Sequence, residues 1–318
     1  MSSRHPRLPR QRSGGLVPVP ERTLFAASAD GSRVHVELYG PEEAPAVVLS
    51  HGWTCSTRFW AAQIADLAAD HRVIAYDQRG HGGSPDVGPG GHSTDALADD
   101  LEAVLAATLA PGRKAVLAGH SMGGMTLMAA ARRPRFREHA AAVLLCSTGS
   151  GRLAEEARVF ALPGAARSGG TRALLRATVP LGPVTPVTRS LLKYATMGPG
   201  STPERVEVCA RIVHACPRKA RASWGRVLSE LDLDREVPEL RVPTAVLVGL
   251  EDRMTPPVHA RALAAALPDF LGLTELPGMG HMTPLEAPEA VSAKIRELVA
   301  GHLTGTATTD KTEREDIA

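Results

Sequence analysis

Apolar residues along the chain fall into two alternating rhythms. Ala46–Ser50, Val73–Tyr76, Ala115–Ala118, Ala142–Cys146 and Thr244–Val248 are short apolar runs with the length of strands buried on both faces, and Leu271–Leu276 reads as a further strand. Between them Phe59–Ala69, Asp95–Leu105, Met125–Arg133, Pro257–Leu267 and Ala287–Val299 carry apolar residues at helical spacing. Ser93 or Thr94 is placed to cap the second of these helices, whose Leu97, Leu101, Val104 and Leu105 share one face. Ahead of them, Thr23–Ala27 and Val34–Tyr39 flank Asp30-Gly31, a strong hairpin signal, so the sheet is expected to open antiparallel. Strand and helix in alternation imply an α/β fold: a mostly parallel sheet, eight-stranded when every run is counted, with helices on both faces.

The alternation stops from about Gly151 to Val237. No convincing strand occurs there, and Pro163-Gly164, Gly169-Gly170, Pro180 to Pro186 and Gly198-Pro199-Gly200 separate helix-like pieces. Val206–Ala215 has a good cap and first turn in Ser201-Thr202-Pro203-Glu204. Because strands resume afterwards, this is expected to be a helical insert in one sheet domain. The organisation is then an arm at 1–20, a core made of 21–150 and 238–302, the insert at 151–237, and a tail at 303–318 rich in Thr and charge.

The run from Lys114 to Gly124 reads as strand, sharp turn and helix around Gly119-His120-Ser121-Met122-Gly123. Such a turn strains its central residue, and the residues two before and two after must lack side chains that would collide. Gly119 and Gly123 satisfy that need, and Ser121 would stand at the tip with its hydroxyl exposed. Gly-x-Ser-x-Gly alone arises by chance in roughly one chain of this length in ten. Its context and its partners therefore decide. Gly249 to Pro256, containing Asp252, and Gly278 to Met282, containing His281, each leave the end of a later strand. Loops at the carboxyl ends of parallel strands share one edge, so Ser121, Asp252 and His281 could converge. A serine hydroxyl needs a nearby base, and the base needs a third group to fix its tautomer and steady its cation.

Composition narrows the classes. Formal net charge is +2, and a clustered basic face of the kind that binds nucleic acid is lacking. Only the start is noticeably basic, with Arg4, Arg7, Arg10 and Arg12 among prolines, and it reads as a disordered arm. No apolar run follows those arginines as in a secretory signal, and none is long enough to span a bilayer. Cys55, Cys146, Cys209 and Cys216 show no disulfide framework, so reduced thiols in a cytoplasmic protein are expected. Cys209, His214 and Cys216 match no zinc spacing and are expected to pack.

The arrangement resembles the α/β-hydrolase fold family, in its branch with a helical cap inserted after the sixth strand, over roughly Thr23 to His302. The matching motifs are His51-Gly52, Asp77 to Ser84, the Gly119 to Gly123 elbow, Gly249 to Pro256 and Gly280-His281. The resemblance implies Ser121 as nucleophile, His281 as general base and Asp252, rather than its neighbour Glu251, as the orienting acid. It also implies an oxyanion hole from the backbone N–H groups of Met122 and Trp53, and no metal or organic cofactor. His51 and His120 would pack and hydrogen-bond, and Asp77 and Arg79 would hold their own loop. Trp53-Thr54 stand where lipase-like members carry further glycines, which argues against a triglyceride lipase. Serine rather than aspartate at the elbow separates the chain from dehalogenases and epoxide hydrolases of the same fold. The implied activity is hydrolysis of a small or medium apolar carboxylic ester, thioester or lactone through an acyl-enzyme. The alternatives are carbon–carbon bond hydrolysis, a cofactor-independent haloperoxidase or oxidoreductase on the same triad, and a non-catalytic ligand-binding protein. The implied partner is a small acyl substrate, with no nucleic acid; Trp224 and Met197 are candidates to line its pocket or simply to pack.

Overall fold

The computed structural model describes residues 19–88 and 90–303. Apart from residues 19, 20 and 303, the arm and the tail lie outside the described residues. The chain opens with β1 (Arg22–Ala27) and β2 (Arg33–Tyr39), paired antiparallel with Arg22 opposite Leu38. Their turn forms where expected: the Asp30 carboxylate accepts from Ser32 N–H at 2.9 Å, and Gly31 takes φ +81°. There follow β3 (Ala46–Ser50), α1 (Ala61–Leu67), β4 (Arg72–Tyr76), α2 (Thr94–Thr108), β5 (Ala115–His120), α3 (Met122–Ala129), α4 (Pro134–His139) and β6 (Ala140–Cys146). After β6 come five helices, α5 (Leu153–Glu156), α6 (Gly164–Leu175), α7 (Pro186–Thr196), α8 (Pro203–Ala215) and α9 (Arg218–Ser229). The sheet resumes with β7 (Thr244–Gly249), α10 (Pro257–Ala266), β8 (Phe270–Leu276), α11 (Thr283–Glu286) and α12 (Pro288–His302).

The eight strands form one sheet in the order β1-β2-β4-β3-β5-β6-β7-β8, with β2 antiparallel to β4 and every later pair parallel. Alternate residues of the central strands face opposite sides. Val48, Leu117 and Val246 pack with Leu97, Leu101 and Met125 from α2 and α3, whereas Val47, Val116 and Leu247 pack with Ile64, Ile295 and Leu298 from α1 and α12. Burial on both faces is what the continuous apolar runs required. Among the described residues no helix is long and apolar enough to cross a membrane.

Three local differences from the sequence reading have clear causes. The helix expected over Phe59–Ala69 starts as a 3₁₀ turn at Thr57–Trp60 and ends at Leu67. There Asp77 accepts from Thr57 N–H at 2.7 Å and tightens the entry. The helix expected over Met125–Arg133 instead begins at Met122, directly after the elbow, and gives way to α4, which was not foreseen. Pro134 starts α4, and the Glu102 carboxylate accepts from the N–H groups of Arg135 and Phe136 at 3.0 and 2.8 Å. The five helices after β6 leave and rejoin the sheet at one place, because Gly151 bridges Asp232 and Leu233 N–H donates to Ser150 carbonyl at 2.7 Å.

The loop after β4 is held by buried charge. Arg79 reaches Asp100 of α2 through two bonds of 2.7 and 2.5 Å and Asp30 of the hairpin at 2.8 Å. Burial would raise the Asp77 carboxyl, yet His35, His51 and the N–H groups of Gly83 and Thr57 hold it below the usual carboxylate range. Breaking a buried pair from one side is costly because the other charge stays behind. Asp100→Asn is expected to lower unfolding free energy by about 3 kcal/mol in urea titration; a loss under about 0.5 kcal/mol would mean the pair is not buried as described.

Candidate active site

Ser121 sits between β5 and α3 with φ 51° and ψ −119°, a region that a non-glycine residue occupies only under constraint. The constraint is visible around it. Its N–H donates to the Cys146 carbonyl at 2.9 Å, and its carbonyl accepts from Gly124 N–H at 2.8 Å and the Thr148 hydroxyl at 2.8 Å. A side chain on Gly119 would lie 2.5 Å from the Gly123 carbonyl oxygen, and one on Gly123 would lie 2.1 Å from that of Ser50. Only hydrogen fits at either place. Contrary to the expected exposed tip, Ser121 is only 8% exposed. The loop after β3 crowds it, since a side chain on Gly52 would come within 3.1 Å of Ser121 Cβ.

That loop is set by its neighbours. Gln78 N–H donates to His51 Nε2 at 3.0 Å, so His51 is neutral with its proton on Nδ1, which bonds the Gly52 carbonyl at 2.8 Å. Thr54 N–H likewise donates to His81 Nε2 at 3.2 Å. Burial pushes His51 below the ordinary imidazole range, His81 down to about 3, and His120 well below 6.5. These three rings are spacers and hydrogen-bonding struts. Trp53 indole N–H donates to the Arg221 carbonyl at 3.0 Å, tying the loop to α9. Met122 is the first residue of α3, so its N–H has no partner one turn back. Among the described residues the backbone N–H of Trp53, unlike its indole, donates to no backbone carbonyl.

Past β7 and β8 the other two residues meet. His281 Nδ1 lies 2.9 Å from Asp252 Oδ2, with both side chains buried. Asp252 Oδ1 accepts from the N–H groups of Met254 and Thr255 at 2.8 and 2.9 Å, and Oδ2 accepts from the Thr255 hydroxyl at 2.9 Å. Glu251, the rival acid, is exposed. His120 Nε2–H donates to the His281 carbonyl at 2.8 Å, and the two rings lie 4.9 Å apart, so the residue before Ser121 rests on His281. Ser121, Asp252 and His281 therefore share one corner of the sheet edge. A serine hydroxyl in a strained turn, an imidazole whose Nδ1 bonds a carboxylate, and backbone N–H groups without a partner are groups of the kind that acyl transfer uses.

The other sequence candidates separate cleanly. Trp224 is fully buried and donates to the Arg79 carbonyl at 2.9 Å, and Met197 is buried in the core on the α12 side, so both pack. Burial raises all four thiols, with Cys209 and Cys216 pushed up to about 12, which leaves them protonated and poor nucleophiles. Among the described residues no cluster of His, Cys, Asp and Glu could hold a metal ion. Sequence reasoning missed Thr255, Thr148 and Gln78. Asp252 followed three residues later by Thr255 is a local acceptor pattern that could have flagged the first; the other two depend on contacts distant in sequence.

A family model described as Alpha/beta hydrolase family matches residues 47–294. The chain is 34% identical over 254 residues to "Putative carbamate hydrolase RutD" from Variovorax paradoxus (strain S110), covering 78% of this chain and 89% of that protein. It is 30% identical over 269 residues to "Non-heme chloroperoxidase" from Burkholderia pyrrocinia, covering 81% of this chain and 92% of that protein. Among solved structures, a thermophilic esterase from Thermogutta terrifontis with malate bound matches with a TM-score of 0.70 at 27% identity, over 88% of this chain and 98% of that chain.

The tight contact at the elbow makes one substitution diagnostic. Gly123→Ala is expected to destabilise the fold by about 2 kcal/mol or more, because the methyl must displace β3 backbone. Thermal unfolding checks this; an unchanged midpoint would show that the elbow does not press on Ser50.

Proposed function

The chain belongs to the alpha/beta hydrolase family, and from that premise we propose that it is a serine hydrolase cleaving small or medium apolar carboxylic esters through an acyl-enzyme. The observation that carries this reading is the buried 2.9 Å bond between His281 Nδ1 and Asp252, in the corner where Ser121 is forced into its strained turn. Asp252 fixes the imidazole so that Nε2 is the nitrogen free to take a proton. Ser121 attacks the acyl carbonyl while His281 accepts its proton. The tetrahedral oxyanion lies against the Met122 and Trp53 N–H groups, each typically worth about 10² to 10³ in rate. The alcohol departs with the proton from His281, and water, activated by the same base, releases the acid and restores Ser121.

The helices between β6 and β7 act as a cap that shapes the substrate site. Their Leu, Val and Ala content supports an apolar acyl or alkyl group, and fold alone does not select among ester, lactone, thioester and carbamate. The likeness to a chloroperoxidase favours a second reading on the same machinery. Hydrogen peroxide in place of water would take the acyl group from Ser121, giving a peracid and the free serine.

Ester turnover and fluorophosphonate labelling of wild type, Ser121→Ala, His281→Ala and Asp252→Asn test the proposal. Ser121→Ala is expected to lose on the order of 10⁶ in kcat and Asp252→Asn on the order of 10⁴, with labelling absent from the serine and histidine variants. Turnover or labelling retained by Ser121→Ala contradicts the mechanism.

A further inference from the structure

The loop bearing His281 is anchored on two sides, and only one of them is the sheet. On the sheet side a side chain at Gly249 would lie 2.2 Å from the Gly280 carbonyl oxygen. On the other side a side chain at Gly198, in the junction between α7 and α8, would lie 1.9 Å from the Gly278 carbonyl oxygen, and one at Gly280 would lie 2.5 Å from Gly198 N. Backbone packs on backbone there, with no side chain between.

One carboxylate joins the two pieces. Glu286 is 2% exposed. Its Oε2 accepts from Gly198 N–H at 2.6 Å and the Ser201 hydroxyl at 2.7 Å, both in the α7–α8 junction. Its Oε1 accepts from Gly280 N–H at 3.0 Å and Met282 N–H at 3.1 Å, the residues on either side of His281. The His281 N–H itself donates to the Thr196 carbonyl, the last residue of α7, at 2.9 Å. Three successive N–H groups around the base are thus held by Glu286 and the end of α7. Among the described residues no cationic side chain reaches this carboxylate. A buried carboxylate met only by N–H and O–H donors is stable where each lone pair has a donor, and the geometry supplies that.

Resting on the serine-hydrolase reading, we propose that Glu286 is a positioning residue for the base: it sets His281 relative to Ser121 by clamping its loop to the α7–α8 junction. The proposal has a consequence that packing alone does not. Movement of α7 or α8, for instance on binding substrate, reaches the base directly. Glutamine is the sharpest probe, because whichever oxygen becomes an amide nitrogen, its N–H groups then face donors.

The test uses Glu286→Gln and Ser201→Ala, with kcat, KM and the fluorophosphonate inactivation rate measured per folded molecule, well below each variant's Tm. Glu286→Gln is expected to lower kcat and the inactivation rate together by about 10- to 100-fold, as small misplacements of a catalytic group do. KM is expected to stay within about threefold, since the lost term acts in the transition state. Ser201→Ala moves the same quantities in the same direction by less. If Tm falls while both rates per folded molecule stay at the wild-type value, Glu286 only stabilises the fold and the proposal is overturned. Should Glu286→Gln not fold, Ser201→Ala decides: a lowered rate supports the clamp and an unchanged one overturns it. A wild type that does not label, or a Ser121→Ala variant that keeps its activity, overturns the serine-hydrolase reading and the clamp with it, a result distinct from any of these.

Discussion

A serine held at φ 51° and ψ −119° costs on the order of 1 to 3 kcal/mol, and a fold keeps such a residue only if its surroundings over-determine it. Here the surroundings are the ends of three parallel strands. β6 takes the Ser121 N–H through Cys146, Thr148 holds its carbonyl, and β3 presses on Gly123 through Ser50. The order β3-β5-β6 is what brings these groups together. The strain at one residue thus depends on a sheet buried on both faces, and the apolar runs of the sequence exist to bury it.

The polar groups near that corner form layers of support. Asp77 bonds Thr57 and Gly83, Gln78 bonds His51, and His81 receives Thr54, so the loop after β4 fixes the loop after β3. Arg79 ties the same loop to Asp100 and Asp30. The histidines in these layers are kept neutral by burial, which lets each ring accept on one nitrogen and donate on the other. His281 differs in having a carboxylate on Nδ1. A ring with an acid on one side and an open nitrogen on the other is suited to receive a proton and to hold the resulting cation.

What could be read in advance was whatever local chemistry decides. Asp30-Gly31 specified the hairpin, Ser93 caps α2 by accepting from Ala96 N–H at 3.1 Å, and unbroken apolar runs located the central strands. Gly119 and Gly123 were legible because steric exclusion at a strand-to-helix turn leaves few choices of residue. The preference for Asp252 over Glu251 came from the family resemblance, and the structure turns Asp252 toward His281 while Glu251 is exposed. Illegible features depend on partners far along the chain. The 3₁₀ start at Thr57 answers to Asp77, α4 answers in part to Glu102, and the shielding of Ser121 comes from Gly52. Glu286 stands in an ordinary helical turn, and nothing near it in sequence announces that both its oxygens serve the histidine loop and α7–α8.

The central claim is that Ser121 carries a covalent acyl group during turnover. Rapid acid quench of the protein mixed with an activated ester, followed by peptide mass spectrometry, addresses it most directly. The account predicts the acyl mass on the peptide containing Ser121 within the first turnover, and its decay as substrate is exhausted. Steady turnover with no adduct on that peptide, or with the adduct on another residue, would contradict it.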